Sequence, residues 1–142
     1  MTKEENPTEI FTNMKKEIIY TTNAPEPIGP YNQAVKIGKT LYISGQIPLI
    51  PRRMELVNGD IEKETIQVMK NLEAILLEAN MAFDNVVKAT IFLSDMGNFE
   101  IINNIYGKYF NPESAPARET VEVSNLPKYV RLEISVIASE ID

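Results

Sequence analysis

Six stretches of the chain have the apolar and β-branched residues typical of β-strands, and several of them alternate apolar and polar positions as half-buried strands do. Residues 86–93 are apolar on both faces except at Lys88 and Thr90, which predicts a central strand. The second and third stretches are separated by Gly38-Lys39, and a glycine in the first position of a two-residue loop predicts a type II′ hairpin. In the last stretch, Leu132 and Ile134 share one face with other apolar residues, while Arg131 and Glu133 share the opposite face. The pattern therefore predicts strands over residues 18–22, 33–37, 40–47, 86–93, 117–123 and 129–138.

Helical spacing replaces this alternation in two places. Apolar residues recur every three or four positions from Ile61 to Asn80, which predicts a helix of about 19 residues with Asp60 as its N-cap. A second helix is expected to begin near Asn98 and to end before Pro112. The resulting order, βββ-α-β-α-ββ, predicts one α+β domain over residues 15–142, preceded by a flexible extension over residues 1–14. Two helices can cover only one face of such a sheet.

Composition narrows the chemistry that the domain can perform. The 142 residues include 14 Lys+Arg and 20 Asp+Glu, and the net charge of −6 argues against nucleic acid as the main partner. The sequence contains no His and no Cys, which excludes imidazole and thiolate chemistry. No apolar run is long enough to cross a membrane, and no signal peptide is evident, so we expect a cytoplasmic protein. Any catalysis must use carboxylates, Lys, Arg, Tyr, hydroxyls or backbone groups.

The last two predicted strands carry the pair of residues with the clearest chemical potential. Arg118 follows Pro116-Ala117, where a strand leaves a rigid loop, and its planar guanidinium suits a carboxylate ligand. Glu133 lies on the next strand and can supply a fixed carboxylate. The structural alternative is an Arg–Glu ion pair on a solvated sheet face. The pattern alone leaves both interpretations open.

Four other residues have weaker individual claims to a site. Ser44-Gly45 stands at the end of a strand, where a glycine indicates either a bulge or a close approach of backbone and ligand. Tyr31 is interpreted as a lid or as a packing aromatic. Asn103 is interpreted as a ligand-binding residue or as a solvated helix residue.

Motifs distributed over residues 15–139 resemble the reactive intermediate/imine deaminase A (RidA, YjgF-type) family and occur in the order found there. The resemblance is specific because it rests on many short motifs and not on one of them. They include Asn23-Ala24-Pro25, Ile28-Gly29-Pro30-Tyr31, Ser44-Gly45-Gln46-Ile47-Pro48, Pro116-Ala117-Arg118, Val121-Glu122-Val123, Leu126-Pro127-Lys128 and Leu132-Glu133-Ile134.

This resemblance implies a chorismate-mutase-like α+β fold, assembled as a homotrimer with clefts between subunits. It also implies cofactor-free hydrolysis of the 2-imino acids released by pyridoxal-phosphate-dependent dehydratases, giving 2-keto acids and ammonia. By position, Arg118 matches the substrate-carboxylate clamp and Glu133 matches the acid that orients or activates water. The positions that match substrate-binding residues lining the cleft are Tyr31, Ser44, Gly45 and Asn103.

The sequence departs from the family pattern beside the clamp, where Glu119 and Thr120 replace the Ser and Cys of many members. Strand alternation predicts that Glu119 faces away from Arg118. The loop over residues 48–58 also lacks the usual Asp/Gly-rich turn. Two other functions stay open: a non-enzymatic module that binds small carboxylates, and, less favoured by the acidic composition, a ribonuclease or translation inhibitor.

Overall fold

A computed structural model describes residues 15–57 and 59–141, so the predicted extension over residues 1–14 lies outside the described residues. The elements of the fold follow the predicted order, and the α+β class is confirmed. The strands are β1 (Glu17–Ile19), β2 (Ala34–Ile37), β3 (Thr40–Gln46), β4 (Leu49–Ile50), β5 (Glu55–Leu56), β6 (Val86–Leu93), β7 (Ala117–Glu122) and β8 (Leu132–Ser139). The helices are α1 (Ile61–Glu78) and α2 (Phe99–Gly107), with short 3₁₀ turns at Phe83–Asn85, Met96–Asn98 and Pro127–Tyr129.

The largest differences from the predicted elements occur at three places. β1 ends at Ile19, before the predicted end at residue 22. The last strand begins at Leu132 and not at residue 129, because Lys128 and Tyr129 both have positive φ angles of 56° and form a turn. The region predicted as a loop over residues 48–59 contains the two-stranded sheet of β4 and β5. The two-residue hairpin is confirmed, since Ile37 pairs with Thr40 and Gly38 has a φ of 58°.

One mixed six-stranded sheet, in the order β1-β2-β3-β8-β6-β7, organises the domain. The last strand, β8, inserts between β3 and β6 and pairs antiparallel with both. β7 forms the sheet edge and runs parallel to β6, as a crossover connection through α2 allows. Among the described residues, no helix is both long enough and apolar enough to span a bilayer.

The two helices pack on a single face of this sheet, as predicted. In β8 the buried and half-buried residues alternate, so that every second side chain enters the core. α1 supplies a fully buried stripe that begins after its cap, where Asp60 accepts a hydrogen bond from the Lys63 backbone at 2.8 Å and confirms the predicted N-cap. The largest buried side chains are Leu41, Leu49, Val68, Met69, Leu72, Ile75, Leu76, Ile91, Leu93, Ile102, Leu132 and Ile134.

The opposite face of the sheet is called here the open face, and no helix of residues 15–57 or 59–141 packs against it. Tyr42 is 49% exposed and Val121 is 42% exposed on this face, although both are large apolar residues. Lys88 and Glu119 form an ion pair across β6 and β7 with an N–O distance of 2.5 Å. The uncovered face therefore carries both polar and apolar residues.

Gln33 fixes the proline-rich segment that leads to Tyr31. Its side chain is 2% exposed, and its Oε1 accepts a hydrogen bond from the Thr21 backbone at 2.8 Å. Its Nε2 donates to the carbonyls of Thr21 and Pro25, both at 2.9 Å. A buried amide that satisfies this many backbone groups holds the loop in one conformation.

We predict that Gln33→Leu lowers the free energy of unfolding by about 2–4 kcal/mol, because it leaves several backbone groups buried without partners. Asn32→Leu, at the exposed neighbouring position, should change stability by no more than about 0.5 kcal/mol. Urea denaturation of both variants measures the difference. Equal losses in the two variants would contradict the role given to Gln33.

Candidate functional site

Arg118 lies on the helix-covered side of the sheet. Its Cα pairs with that of Ala89, which is fully buried beneath the helices. Its Nη1 donates a 2.7 Å hydrogen bond to Oδ1 of Asn103 on α2. A guanidinium has no acceptor, so the Asn103 oxygen must face it, and the amide NH₂ of Asn103 is directed elsewhere. Within the described residues, Asn103 is the one hydrogen-bond partner of Arg118, and donors on both side chains stay available to a ligand.

Two aromatic rings of α2 complete the surroundings of Arg118. Its Cζ atom lies 5.0 Å from the ring centroid of Tyr106 and 5.8 Å from that of Phe99, within the range of cation–π attraction. Residues 99, 103 and 106 follow an i, i+4, i+7 spacing, which brings them to one side of the helix. A single helix face therefore holds the guanidinium through two rings and one amide.

Two hydroxyl groups near Arg118 are buried and have no hydrogen-bond partner among the residues that the structure describes. They belong to Tyr106 and to Thr120, which is two residues further along β7 and faces the same side. Burial raises the pKa of Tyr106, although the positive charge of Arg118 acts in the opposite direction. Thr120 occupies the position at which the sequence departs from the family. Its small hydroxyl side chain places no second charge beside the guanidinium.

A second cluster lies at the other side of the sheet. One cleft there is lined by Tyr31, Ser44, Gly45, Pro127 and Glu133. The hydroxyl of Tyr31 accepts a hydrogen bond from the Ile28 backbone at 3.1 Å, and that of Ser44 donates to the Asn32 carbonyl at 2.6 Å. The ring of Tyr31 is 47% exposed, so it lines the cleft without being part of the core.

Glu133 crosses directly over the backbone of Gly45. Its Cα pairs with that of Phe92, which places it on the open face. A Cβ at position 45 would lie 2.5 Å from Oε1 of Glu133 and 2.8 Å from its Cγ, so only glycine leaves room for this side chain. The β3–β8 register also shifts between Ile43 and Gln46. The register shift fits the predicted bulge at Gly45, and the group that closely approaches this glycine is the Glu133 side chain of the same chain.

Partial burial raises the pKa of the Glu133 carboxyl above its ordinary value of 4.5. No hydrogen bond or ion pair from the described residues stabilises the ionised form. A half-buried carboxylate without a donor is a better proton acceptor than an exposed one.

The six predicted site residues therefore form two separate clusters. Arg118 and Asn103 form the first, here called the guanidinium cluster, and the other four belong to the second, here called the carboxylate cluster. Arg118 and Glu133 face opposite sides of the sheet, so the ion pair considered as an alternative does not form within one chain. Glu119 faces away from Arg118, as predicted, and pairs with Lys88.

Sequence reasoning missed three residues of these clusters: Phe99, Tyr106 and Pro127. The helical spacing from Phe99 through Asn103 to Tyr106 would have found the first two. Pro127 lies in a turn, for which hydrophobic periodicity gives no indication. Among the described residues there is also no group of three His, Cys, Asp or Glu residues arranged to hold a metal ion.

We predict that Gly45→Ala keeps the fold but moves the Glu133 carboxyl toward solvent, because the flexible side chain yields before the backbone does. The pKa of Glu133 should then fall toward its ordinary value, as ¹³C NMR titration of the carboxyl carbon can measure. Gly107→Ala, where an added Cβ has nothing within 4 Å, is the matched control and should leave that pKa unchanged. An unaltered titration of Glu133 in Gly45→Ala would contradict the contact.

Comparison with known proteins matches most of the chain to one family. A family model described as Endoribonuclease L-PSP matches residues 21–140. A RutC family protein of Pyrococcus horikoshii is 52% identical over 123 residues, which cover 87% of this chain and 97% of the relative. The 2-iminobutanoate/2-iminopropanoate deaminase of Mus musculus is 47% identical over 128 residues, with 90% of this chain and 94% of the relative covered.

Solved structures show the same fold. The crystal structure of E. coli TdcF with bound serine superimposes with a TM-score of 0.82 at 37% sequence identity. The match covers 88% of this chain and 99% of that structure. All residues of the guanidinium and carboxylate clusters fall inside the region matched by the family model.

Proposed function

Because the chain belongs to the YjgF/RidA family, we propose that it is a 2-imino-acid deaminase. The substrates are reactive 2-imino acids such as 2-iminobutanoate and 2-iminopropanoate, released by pyridoxal-phosphate-dependent dehydratases, and the products are 2-keto acids and ammonia. The observation that carries this proposal is the combination of a fixed guanidinium with free donors and a half-buried carboxylate of raised pKa. The identity to the mouse deaminase supports it.

In this proposal the guanidinium cluster binds the substrate carboxylate. The Nη1 of Arg118 is engaged by Asn103, which leaves its other donors for a carboxylate. The Asn103 NH₂ faces away from the guanidinium and adds a neutral donor. Fixing the carboxylate also fixes the neighbouring C2 atom, and such positioning is a large part of the rate acceleration in a hydrolysis of this kind.

Glu133 performs the proton transfers in this scheme. A water oxygen forms a bond to C2 of the protonated imine, and the proton it loses passes to the Glu133 carboxylate. The Glu133 carboxyl returns that proton to the nitrogen of the resulting carbinolamine. The C–N bond then breaks, and the hydroxyl proton passes to the Glu133 carboxylate as the carbonyl forms. The departing ammonia takes up this last proton and leaves as ammonium, which restores the ionised carboxylate. A raised pKa suits a group that must accept a proton and then return it.

The proposal requires two copies of the chain for each site. Since Arg118 and Glu133 face opposite sides of one sheet, the guanidinium cluster of one copy must meet the carboxylate cluster of the next. A closed ring of three copies, the homotrimer expected from the family resemblance, provides three such meetings. The open face, with exposed apolar side chains such as Tyr42 and Val121, supplies the contact surface.

Binding of a small carboxylate without turnover is the second candidate. It is favoured by the guanidinium cluster itself, which can hold a carboxylate without any contribution from Glu133. The serine-bound structure of E. coli TdcF is consistent with a site for small carboxylates. This function and the deaminase differ in what they require of Glu133.

We predict that the protein accelerates loss of the imine in a dehydratase-coupled assay with serine or threonine as the starting amino acid. Arg118→Ala should abolish the acceleration because the substrate is no longer held. Glu133→Gln should reduce it by about 10²–10⁴-fold, the usual contribution of general acid–base catalysis. A carboxylate-binding module would instead show no acceleration, and its ligand affinity would be nearly unaffected by Glu133→Gln.

Mixing the two inactive variants tests the shared site. Unfolding and refolding Arg118→Ala with Glu133→Gln at a 1:1 ratio should restore about a quarter of the wild-type activity, because that fraction of interfaces combines an intact Arg118 with an intact Glu133. Each variant refolded alone is the control. Failure of the mixture to regain activity, with mixed assemblies verified by mass spectrometry, would contradict a site shared between copies.

We predict an acidic limb in the pH profile of kcat/KM at a pH above the ordinary glutamate pKa of 4.5. Activity falls as the pH drops through the Glu133 pKa, because the protonated carboxyl cannot accept a proton from water.

The raised pKa of Glu133 also makes its ionised form unfavourable in the folded chain. Glu133→Gln should therefore be more stable than wild type at pH 7, and this difference should vanish below the unfolded-state pKa. For the activity prediction, a pH profile of kcat/KM without an acidic limb above pH 4.5 would contradict the role of Glu133 as the base.

A further inference from the structure

We propose that Tyr106, assisted by Phe99, is a positioning residue that orients the Arg118 guanidinium through cation–π attraction. This inference rests on the carboxylate-binding step of the proposed function. It concerns how the guanidinium is fixed and not whether turnover follows. Tyr106 touches neither substrate nor reacting atoms in this scheme and acts only through Arg118.

The position of Arg118 in the fold creates the need for such a device. Within residues 15–57 and 59–141, β7 is an edge strand that pairs only with β6, so none of these residues forms a strand on its other side to confine the Arg118 side chain. The single hydrogen bond from Nη1 to Asn103 leaves the plane of the guanidinium free to rotate about that contact. A ring centroid 5.0 Å from Cζ on Tyr106, with a second at 5.8 Å on Phe99, removes this freedom.

The burial of Tyr106 strengthens the attraction. The residue is 5% exposed, and its ring packs on that of Phe110 with centroids 4.7 Å apart, so the ring itself cannot move away. Interactions of a charge with a ring quadrupole are stronger where water is excluded. A rigid ring next to a long, flexible cationic side chain is therefore well suited to fix its orientation before the ligand arrives.

The unpartnered hydroxyl of Tyr106 identifies the ring as the part that acts. The phenolic oxygen is buried and makes no hydrogen bond within the described part of the chain. Removing it leaves the ring in place, so Tyr106→Phe should preserve the orientation of Arg118. Replacing the ring by an aliphatic side chain removes the attraction. The ligand must then restrict the Arg118 side chain as it binds, and the entropy lost in that step lowers the affinity.

The test measures binding of 2-ketobutanoate, a stable 2-keto acid, to the full-length assembled protein by calorimetry. Position 106 is changed to Phe, to mono- and trifluorinated phenylalanines and to Leu. Fluorination weakens the ring quadrupole and alters the ring shape little. We expect Tyr106→Phe to bind within about twofold of wild type, the fluorinated series to weaken progressively, and Tyr106→Leu to raise Kd by roughly 3–10-fold. In the coupled assay, Tyr106→Leu should raise KM more than it lowers kcat.

Ile102→Val provides the matched control, since Ile102 is 1% exposed on the same helix and has no contact with Arg118 among those described above. It should lower thermal stability without changing Kd. A flat fluorinated series, or a Kd that follows stability in all variants, would overturn the cation–π role. Absence of 2-ketobutanoate binding by the wild type would overturn this role together with the carboxylate clamp. A graded series without deaminase turnover would support it and contradict only the enzymatic proposal.

Discussion

The pairing of β8 between β3 and β6 determines which side of the sheet every functional residue faces. Because side chains alternate along β8, burying Leu132 and Ile134 beneath the helices forces Glu133 to the open face. The pairing of β6 with β8 and of β6 with β7 then places Arg118 beside the buried Ala89, on the side of the helices. A shift of either register by one residue would exchange these faces and would also expose the core, so the same hydrophobic burial that stabilises the fold fixes the direction of both groups.

This constraint separates the two halves of the proposed site by the thickness of the sheet, and each half is stabilised by different means. Arg118 is held from α2 by an amide and two rings. Glu133 is held by the shape of β3, where a glycine lets the side chain cross the backbone. Each half presents groups that have no hydrogen-bond partner among the described residues. At Arg118 and Asn103 these are N–H donors, and at Glu133 it is the carboxylate. In the proposed function, assembly of copies joins these complementary groups, and the oligomer is therefore part of the proposed site.

Much of this arrangement could be predicted from local sequence. Period-two and period-3.6 patterns placed the main strands and helices, and Asp60 marked the start of α1. Strands β4 and β5 have two residues each, which is too short for an alternation of apolar and polar residues to be recognised in the sequence. The turn at Lys128 and Tyr129 adopts positive φ angles without a glycine to indicate them. The opposite facing of Arg118 and Glu133 depends on the parallel β6–β7 register, which is a relation between distant segments and is absent from the alternation within each strand.

The absence of histidine in the sequence has a chemical counterpart in the environment of Glu133. A protonated imine is already electrophilic, so its hydrolysis needs a group that takes one proton from water and returns it to nitrogen. Desolvation raises the pKa of Glu133 above that of an exposed glutamate. In the proposed mechanism, burial therefore makes this carboxylate a stronger base toward water than an exposed one. The acidic net charge does not oppose this chemistry, because Arg118 and the donors of Asn103 determine the local field at the proposed substrate carboxylate.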